Sequence, residues 1–219
     1  MTDLLEQSIN LFASMLLVLA FAMIAQRRIL RLIHLFTLQG MALVSATVVV
    51  AYLTGEHHLY YSALVAFTLK VVLIPLLLHR LIDRLNVRWD VETLLNIPLT
   101  MLAGLLLVMF AFDLTAPIAA LSTSIARGTL GIALACILLS FMMMIVRSKA
   151  VPQVIGFLSM ENGLFFAAIA ATDGMPMIVE LGIAFDVLVG MLILGVFMFQ
   201  IREQFESLDI RHLERLKDK

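Results

Sequence analysis

The chain has 219 residues, of which 62% are hydrophobic and 14% charged, with a formal net charge of −1. Soluble domains average about 45–50% apolar and about 25% charged residues, so this composition excludes a water-soluble globule and predicts an all-α integral membrane protein. The single cysteine, Cys136, allows neither an internal disulfide nor an iron–sulfur cluster, which takes about four thiolates.

Residues 1–6, MTDLLE, are acidic and lack the basic start of a signal peptide. Apolar runs of about 20 residues then follow one another, the length that crosses a bilayer as helix. Seven spans are expected, at 8–25, 32–53, 59–78, 93–112, 128–146, 151–171 and 178–200. The basic residues orient them. Arg27, Arg28 and Arg31 follow the first span; Arg80, Arg84 and Arg88 follow the third. Arg147 and Lys149 follow the fifth, and Arg202, Arg211, Arg215, Lys217 and Lys219 the seventh. These are 13 of the 15 lysines and arginines, all on one side of the membrane. The positive-inside rule makes that side cytoplasmic. The N-terminus is then outside and the C-terminus cytoplasmic, in a bacterial or archaeal inner membrane. Asp113 and Arg127 are expected to flank a solvated outer loop after the fourth span.

The organisation read from this pattern is a three-span module (1–90), a connecting span with its outer loop (91–127), a second three-span module (128–201) and a cytoplasmic tail (202–219). The tail suits either an amphipathic surface helix or a solvated end. A parallel three-helix repeat is visible between the modules. Sliding one over the other sets Thr37 on Ser159, Gln39 on Glu161 and Arg27 on Lys149; with the shorter loop allowed for, Lys70 falls on Asp186.

Three charges interrupt the spans: Lys70, Glu161 and Asp186. At about 1.5 Å per residue, Glu161 and Lys70 stand roughly 15 and 14 Å from the cytoplasmic ends of their spans, near the bilayer midplane. Asp186 stands about two turns further out by the same rise. Three such charges cost on the order of 8–10 kcal/mol if left alone, comparable with the whole stability of a domain. They must therefore face protein or water. Burial disfavours the charged form of each, which suits groups that take up and release protons. The alternative, compatible with that role, is a structural ion pair of Lys70 with Glu161 that sets helix register. Pro75 cannot donate to the carbonyl of Val71, so the third span is expected to kink one turn below Lys70. Glu180 is either the outer exit of a proton path or a solvated interfacial acid. Gln39 and Asn162 serve either to hold water or to bond between helices. His34 and His79 lie near the cytoplasmic ends of their spans. A two-histidine haem site there would sit close to the surface rather than at a buried ring position. Met142, Met143 and Met144 read as packing residues. No resident metal or cofactor is expected, and no nucleic-acid partner.

Residues 128–209 resemble subunit K of proton-pumping NADH–quinone oxidoreductase and the third subunit of Mrp-type cation/proton antiporters. The resemblance is carried by Ser159-Met160-Glu161 and by Asp186 with Gly190 four residues on. The second acid is Asp where that family has Glu, and the acids are closer in sequence. The whole chain resembles the hydrogenase-4 component E family, through Leu69-Lys70-Val71-Val72-Leu73-Ile74-Pro75-Leu76, Met160-Glu161-Asn162-Gly163 and Val179-Glu180-Leu181-Gly182-Ile183-Ala184-Phe185-Asp186. The resemblance implies a seven-span, non-redox membrane subunit of a group 4 [NiFe]-hydrogenase-type, complex-I-like oxidoreductase, without catalysis of its own. It implies proton relay by Glu161 and Asp186, with Lys70 and Glu180 alongside. Its implied partners are antiporter-like membrane subunits, a membrane anchor subunit and, indirectly, hydrogenase-like large, small and iron–sulfur subunits. A subunit of an Mrp-like antiporter and a structural membrane anchor are the alternatives.

Overall fold

The computed structural model describes residues 2–85, 96–121, 124–172 and residue 182. Every regular element among them is helical: α1 (Thr2–Ala25), α2 (Ile29–Thr54), α3 (His57–Ala66), a π-helical segment (Phe67–Leu73), α4 (Ile74–Leu85), α5 (Ile97–Leu121), α6 (Ser124–Val146) and α7 (Ala150–Thr172). The α3–π–α4 rod counts as one crossing. The described residues thus hold six helices long and apolar enough to span a membrane, in a multi-pass bundle. The expected seventh span, 178–200, lies outside the described residues apart from Gly182.

Helices α1, α2, α6 and α7 form the centre, with α1 packed on α2 and α6, and α7 packed on α6 and α2. The α3–π–α4 rod flanks α2, and α5 packs on α6 and α1. Helix α5 is the least covered, with Leu102, Leu106, Met109 and Phe110 all exposed, as a lipid-facing helix should be. The turn from α2 to α3 is closed by Gly55 at φ 72°, whose N–H bonds the carbonyl of Ala51. Only glycine takes up that left-handed cap without strain.

Two expectations change. The fourth span begins later and runs further than 93–112, so most of the outer loop expected at 113–127 is helical, with 122–123 outside the described residues. Asp113 sits exposed within α5, so it does not end the helix. The kink expected at Pro75 takes the form of the π segment just before it. Ile74 N–H bonds back to Leu69 O, five residues earlier. In that wider register the proline withholds its bond from the carbonyl of Lys70, one residue before Val71. The wider turn is how the backbone accommodates the proline's missing bond.

The helices approach closely where side chains are small, as membrane helices do without a hydrophobic drive between them. A Cβ on Gly163 would stand 2.9 Å from Ile137 Cγ1 and 3.2 Å from Ile137 N. On Gly156, one heptad earlier in α7, it would meet Met144 Cγ at 2.9 Å and the Ser140 carbonyl at 3.3 Å. Glycine is thus the contact surface of α7 on α6. Gly40 brings α2 onto the π segment more loosely, with Lys70 Cβ at 3.4 Å and Lys70 O at 3.6 Å from its would-be Cβ. Gly163→Ala should destabilise the purified protein by about 1–3 kcal/mol, read as a lower thermal midpoint in detergent. Gly40→Ala should be close to neutral in the same measurement.

Candidate functional site

The buried apolar side chains fall into two clusters. One, at the end carrying the basic turns, is built around Ile33, Phe36, Leu78, Leu139 and Leu158. The other, towards the opposite end, is built around Leu16, Leu43, Ala46, Cys136 and Phe166. Along α2 the break between them falls at Gln39–Gly40. Along α7 it falls at Ser159–Gly163, and along the third rod it includes Lys70. The break is a polar layer across the middle of the bundle.

The layer assembles side chains from four rods. Lys70, in the π segment, is 1% exposed, and Glu161 on α7 is 3% exposed. Lys70 Nζ lies 3.4 Å from Glu161 Oε1. Asn162 Nδ2 donates to Gln39 Oε1 at 3.1 Å, joining α7 to α2, and both residues are fully buried. Ser140 on α6 and Ser159 on α7 share a buried hydrogen bond of 2.7 Å. The Phe165 ring, one turn beyond Glu161, stands 5.4 Å from Lys70 Nζ, within cation–π range. Gly182 also packs on that ring, where a Cβ would stand 2.7 Å from Cδ2.

The local sequence explains the placement. Glu161 and Phe165 are four residues apart, so one face of α7 presents both to the same neighbour. Gly40 is the point at which α2 meets the π segment, in ordinary van der Waals contact with Lys70. The π segment re-phases the rod there, so Lys70 points inwards while its neighbours Phe67, Val72 and Leu73 stay exposed.

At 3.4 Å the ion pair is within Coulombic reach but longer than the roughly 2.7–2.9 Å of a tight charge-assisted hydrogen bond. Neither carboxylate oxygen of Glu161 accepts a hydrogen bond from a described residue, and Gln39 Nε2 and Asn162 Oδ1 are likewise uncommitted. Buried polar atoms are usually satisfied. A buried carboxylate and buried amides with capacity left over among the described residues, beside a lysine, have the chemistry to pass a proton or bind a water that does.

The structure therefore brings together Lys70, Glu161, Gln39 and Asn162. Asp186 and Glu180 lie outside the described residues. Phe165 was not singled out from the sequence, although its four-residue spacing from Glu161 signals the shared face. Arg147, which the sequence places between two spans as a loop charge, is instead buried, 1% exposed. Its Nη2 donates to the carbonyls of Met23 (3.0 Å), Ile24 (2.7 Å) and Gln26 (2.8 Å) at the end of α1. Ile24 is in the last turn, whose carbonyls a helix leaves without an intrahelical partner, Met23 O is shared with Gln26 N–H (3.3 Å), and a cation there also meets the negative end of the dipole. Burial lowers the guanidinium to about 10, so it stays charged at neutral pH. Its signal in sequence is that it abuts the apolar run Met142–Val146 directly, whereas Lys149 stands clear of it.

Two stability outcomes are expected. Lys70→Met or Glu161→Leu alone should each cost about 3–5 kcal/mol by stranding a buried charge, while the double variant recovers most of that loss in chemical unfolding. Arg147→Met should cost about 2–4 kcal/mol, read as a drop in thermal midpoint.

Comparison with known proteins places this geometry in context. The chain is 31% identical over 209 residues to uncharacterized protein Rv0085 of Mycobacterium tuberculosis (strain ATCC 25618 / H37Rv), an alignment covering 94% of this chain and 95% of that protein. It is 23% identical over 182 residues to hydrogenase-4 component E of Escherichia coli K12 and of Shigella flexneri, covering 83% of this chain and 84% of each relative. No family model matches the chain. No solved structure matches it.

Proposed function

This chain belongs to the same family as the mycobacterial protein Rv0085, and we propose that it is a non-redox membrane subunit of an energy-converting, hydrogenase-type (complex-I-like) oxidoreductase. Its task in this reading is to carry protons through or along the membrane between antiporter-like subunits and the redox arm. The observation that carries the reading is the Lys70–Glu161 pair, 3.4 Å apart and buried in the polar layer. The similarity to hydrogenase-4 component E supports the kind of complex.

In this mechanism Glu161 is the central carrier. Its protonated form is neutral and needs no counter-ion; its carboxylate is held by Lys70. Proton arrival and departure thus alternate between a neutral acid beside the lysine and a close ion pair. Gln39 and Asn162 supply donor and acceptor atoms on the α2 side. Asp186 is assigned as the next carrier and Glu180 as the outer exit. Asp186 stands four residues beyond Gly182, which contacts Phe165 next to the lysine. The positive-inside pattern gives an outside N-terminus and a cytoplasmic C-terminus in a bacterial or archaeal inner membrane. The expected partners are antiporter-like and anchor subunits in the membrane and, through them, hydrogenase-like large, small and iron–sulfur subunits.

One observation favours a structural second reading: the same layer also ties α2 to α7 and α6 to α7 through side-chain hydrogen bonds. Glu161→Gln in the assembled complex separates the two. A relay predicts intact assembly with proton translocation per turnover reduced about tenfold or more. Full coupling in that variant overturns the relay. The Lys70→Met/Glu161→Leu double variant should also lose coupling; if it pumps normally, the charges serve only to pair. Co-purification without any hydrogenase-like subunit would turn the assignment towards a stand-alone antiporter.

A further inference from the structure

His34 and His79 stand 45 residues apart in sequence, on α2 and α4, and at the basic end of the bundle they meet. Their ring centroids are 5.5 Å apart with planes at 88°. Each ring is anchored in the same way. His34 Nδ1 is 2.7 Å from the carbonyl of Leu30, and His79 Nδ1 is 2.9 Å from the carbonyl of Pro75. A carbonyl only accepts, so Nδ1 must carry the proton, and the neutral ring keeps its lone pair on Nε2. That outer bond, from the non-ligating nitrogen to a backbone carbonyl, orients metal-binding histidines and fixes their tautomer. His34 is exposed and His79 half-buried, so one side of the pair is open to further ligands from solvent. Neither residue has a role in the polar layer.

We propose that His34 and His79 form a two-imidazole binding site for a borderline divalent transition-metal ion, of which Zn²⁺ is the simplest probe. A nitrogen-bound zinc at about 2.0–2.1 Å with tetrahedral angles sets two ring centroids about 5 Å apart, close to the observed separation. Haem does not fit: axial rings on opposite faces of a macrocycle stand about 6 Å or more apart with the ring plane between them, and these two rings touch. The donor set also selects among ions. Two imidazoles suit zinc, copper or nickel, whereas magnesium and calcium need oxygen ligands. Arg31 and Arg80, both exposed beside the pair, add repulsion rather than attraction, so binding rests on nitrogen lone pairs and not on negative charge. Occupancy would clamp α4 to α2 nine residues below Lys70. The site stands independently of the proton-relay reading.

The test uses the full chain, purified without a polyhistidine tag, and titrated with Zn²⁺ against a chromophoric chelator. A saturable site of one zinc per chain is expected, with Mg²⁺ in excess failing to compete. Loss of an outer-shell partner alone costs roughly 10–100-fold in affinity, so His34→Gln and His79→Gln should each weaken binding at least that far. The double variant should be no weaker than the poorer single, since either loss already breaks the chelate. His57→Gln/His58→Gln should leave binding unchanged. Cu²⁺ bound to the wild-type chain should show two equatorial nitrogens by electron paramagnetic resonance, a readout that needs no variant. Unchanged affinity in either single variant, losses that add as for separate sites, or a copper spectrum with one nitrogen would each overturn the site and leave only an edge-to-face contact between two rings.

Discussion

A lysine and a glutamate in the middle of a hydrocarbon layer have to be satisfied from within the protein, because the lipid offers neither a hydrogen bond nor a counter-charge. The structure is arranged around that constraint. Two apolar cores are stacked along the bundle, and between them α2, α6, α7 and the π segment turn their polar residues towards one another. The ion pair, the Gln39–Asn162 bond and the serine pair lie at one level. Each removes part of the penalty that the others would suffer alone.

The backbone is shaped to the same end. Glycines at 156 and 163 seat α7 against α6, where any Cβ would collide with Met144 or Ile137. That close seating sets the face on which Glu161 and Phe165 project. On the other side, the π segment supplies the rotation that aims Lys70 inwards from a rod whose flanking residues face out. A regular α-helix with a kink at Pro75 would not re-phase the lysine in that way. Wide helical turns often accompany functional positions, and here the turn holds the one buried lysine among the described residues.

Away from the layer, Arg147 is the second buried charge to carry structure. It closes the end of α1 from the turn between α6 and α7, while Gln26 Oε1 accepts from the N–H groups of Arg27 and Arg28 to close the turn after α1. The basic end of the bundle is thus held by hydrogen bonds rather than by apolar packing alone. This keeps α1 in register with α6 and so supports one wall of the core beneath the polar layer.

Composition and the spacing of apolar runs were enough to determine a multi-pass helical protein, because a bilayer leaves the backbone no other way to satisfy itself in so apolar a chain. They also singled out Lys70 and Glu161, since charge at that depth is too costly to be incidental. Other features were not legible. The length of α5 was obscured by Asp113, whose cost depends on which face it occupies. The π segment was hidden because a proline announces a missing bond but not how the backbone will absorb it. The burial of Arg147 and the meeting of His34 with His79 depend on which helices become neighbours. That choice is made by interhelical contacts between residues far apart in sequence, which one-dimensional periodicity does not encode. The sequence alone therefore determined which residues needed partners in the membrane. Only the packing of α2, α7 and the π segment decided that Lys70 and Glu161 would be partners to each other.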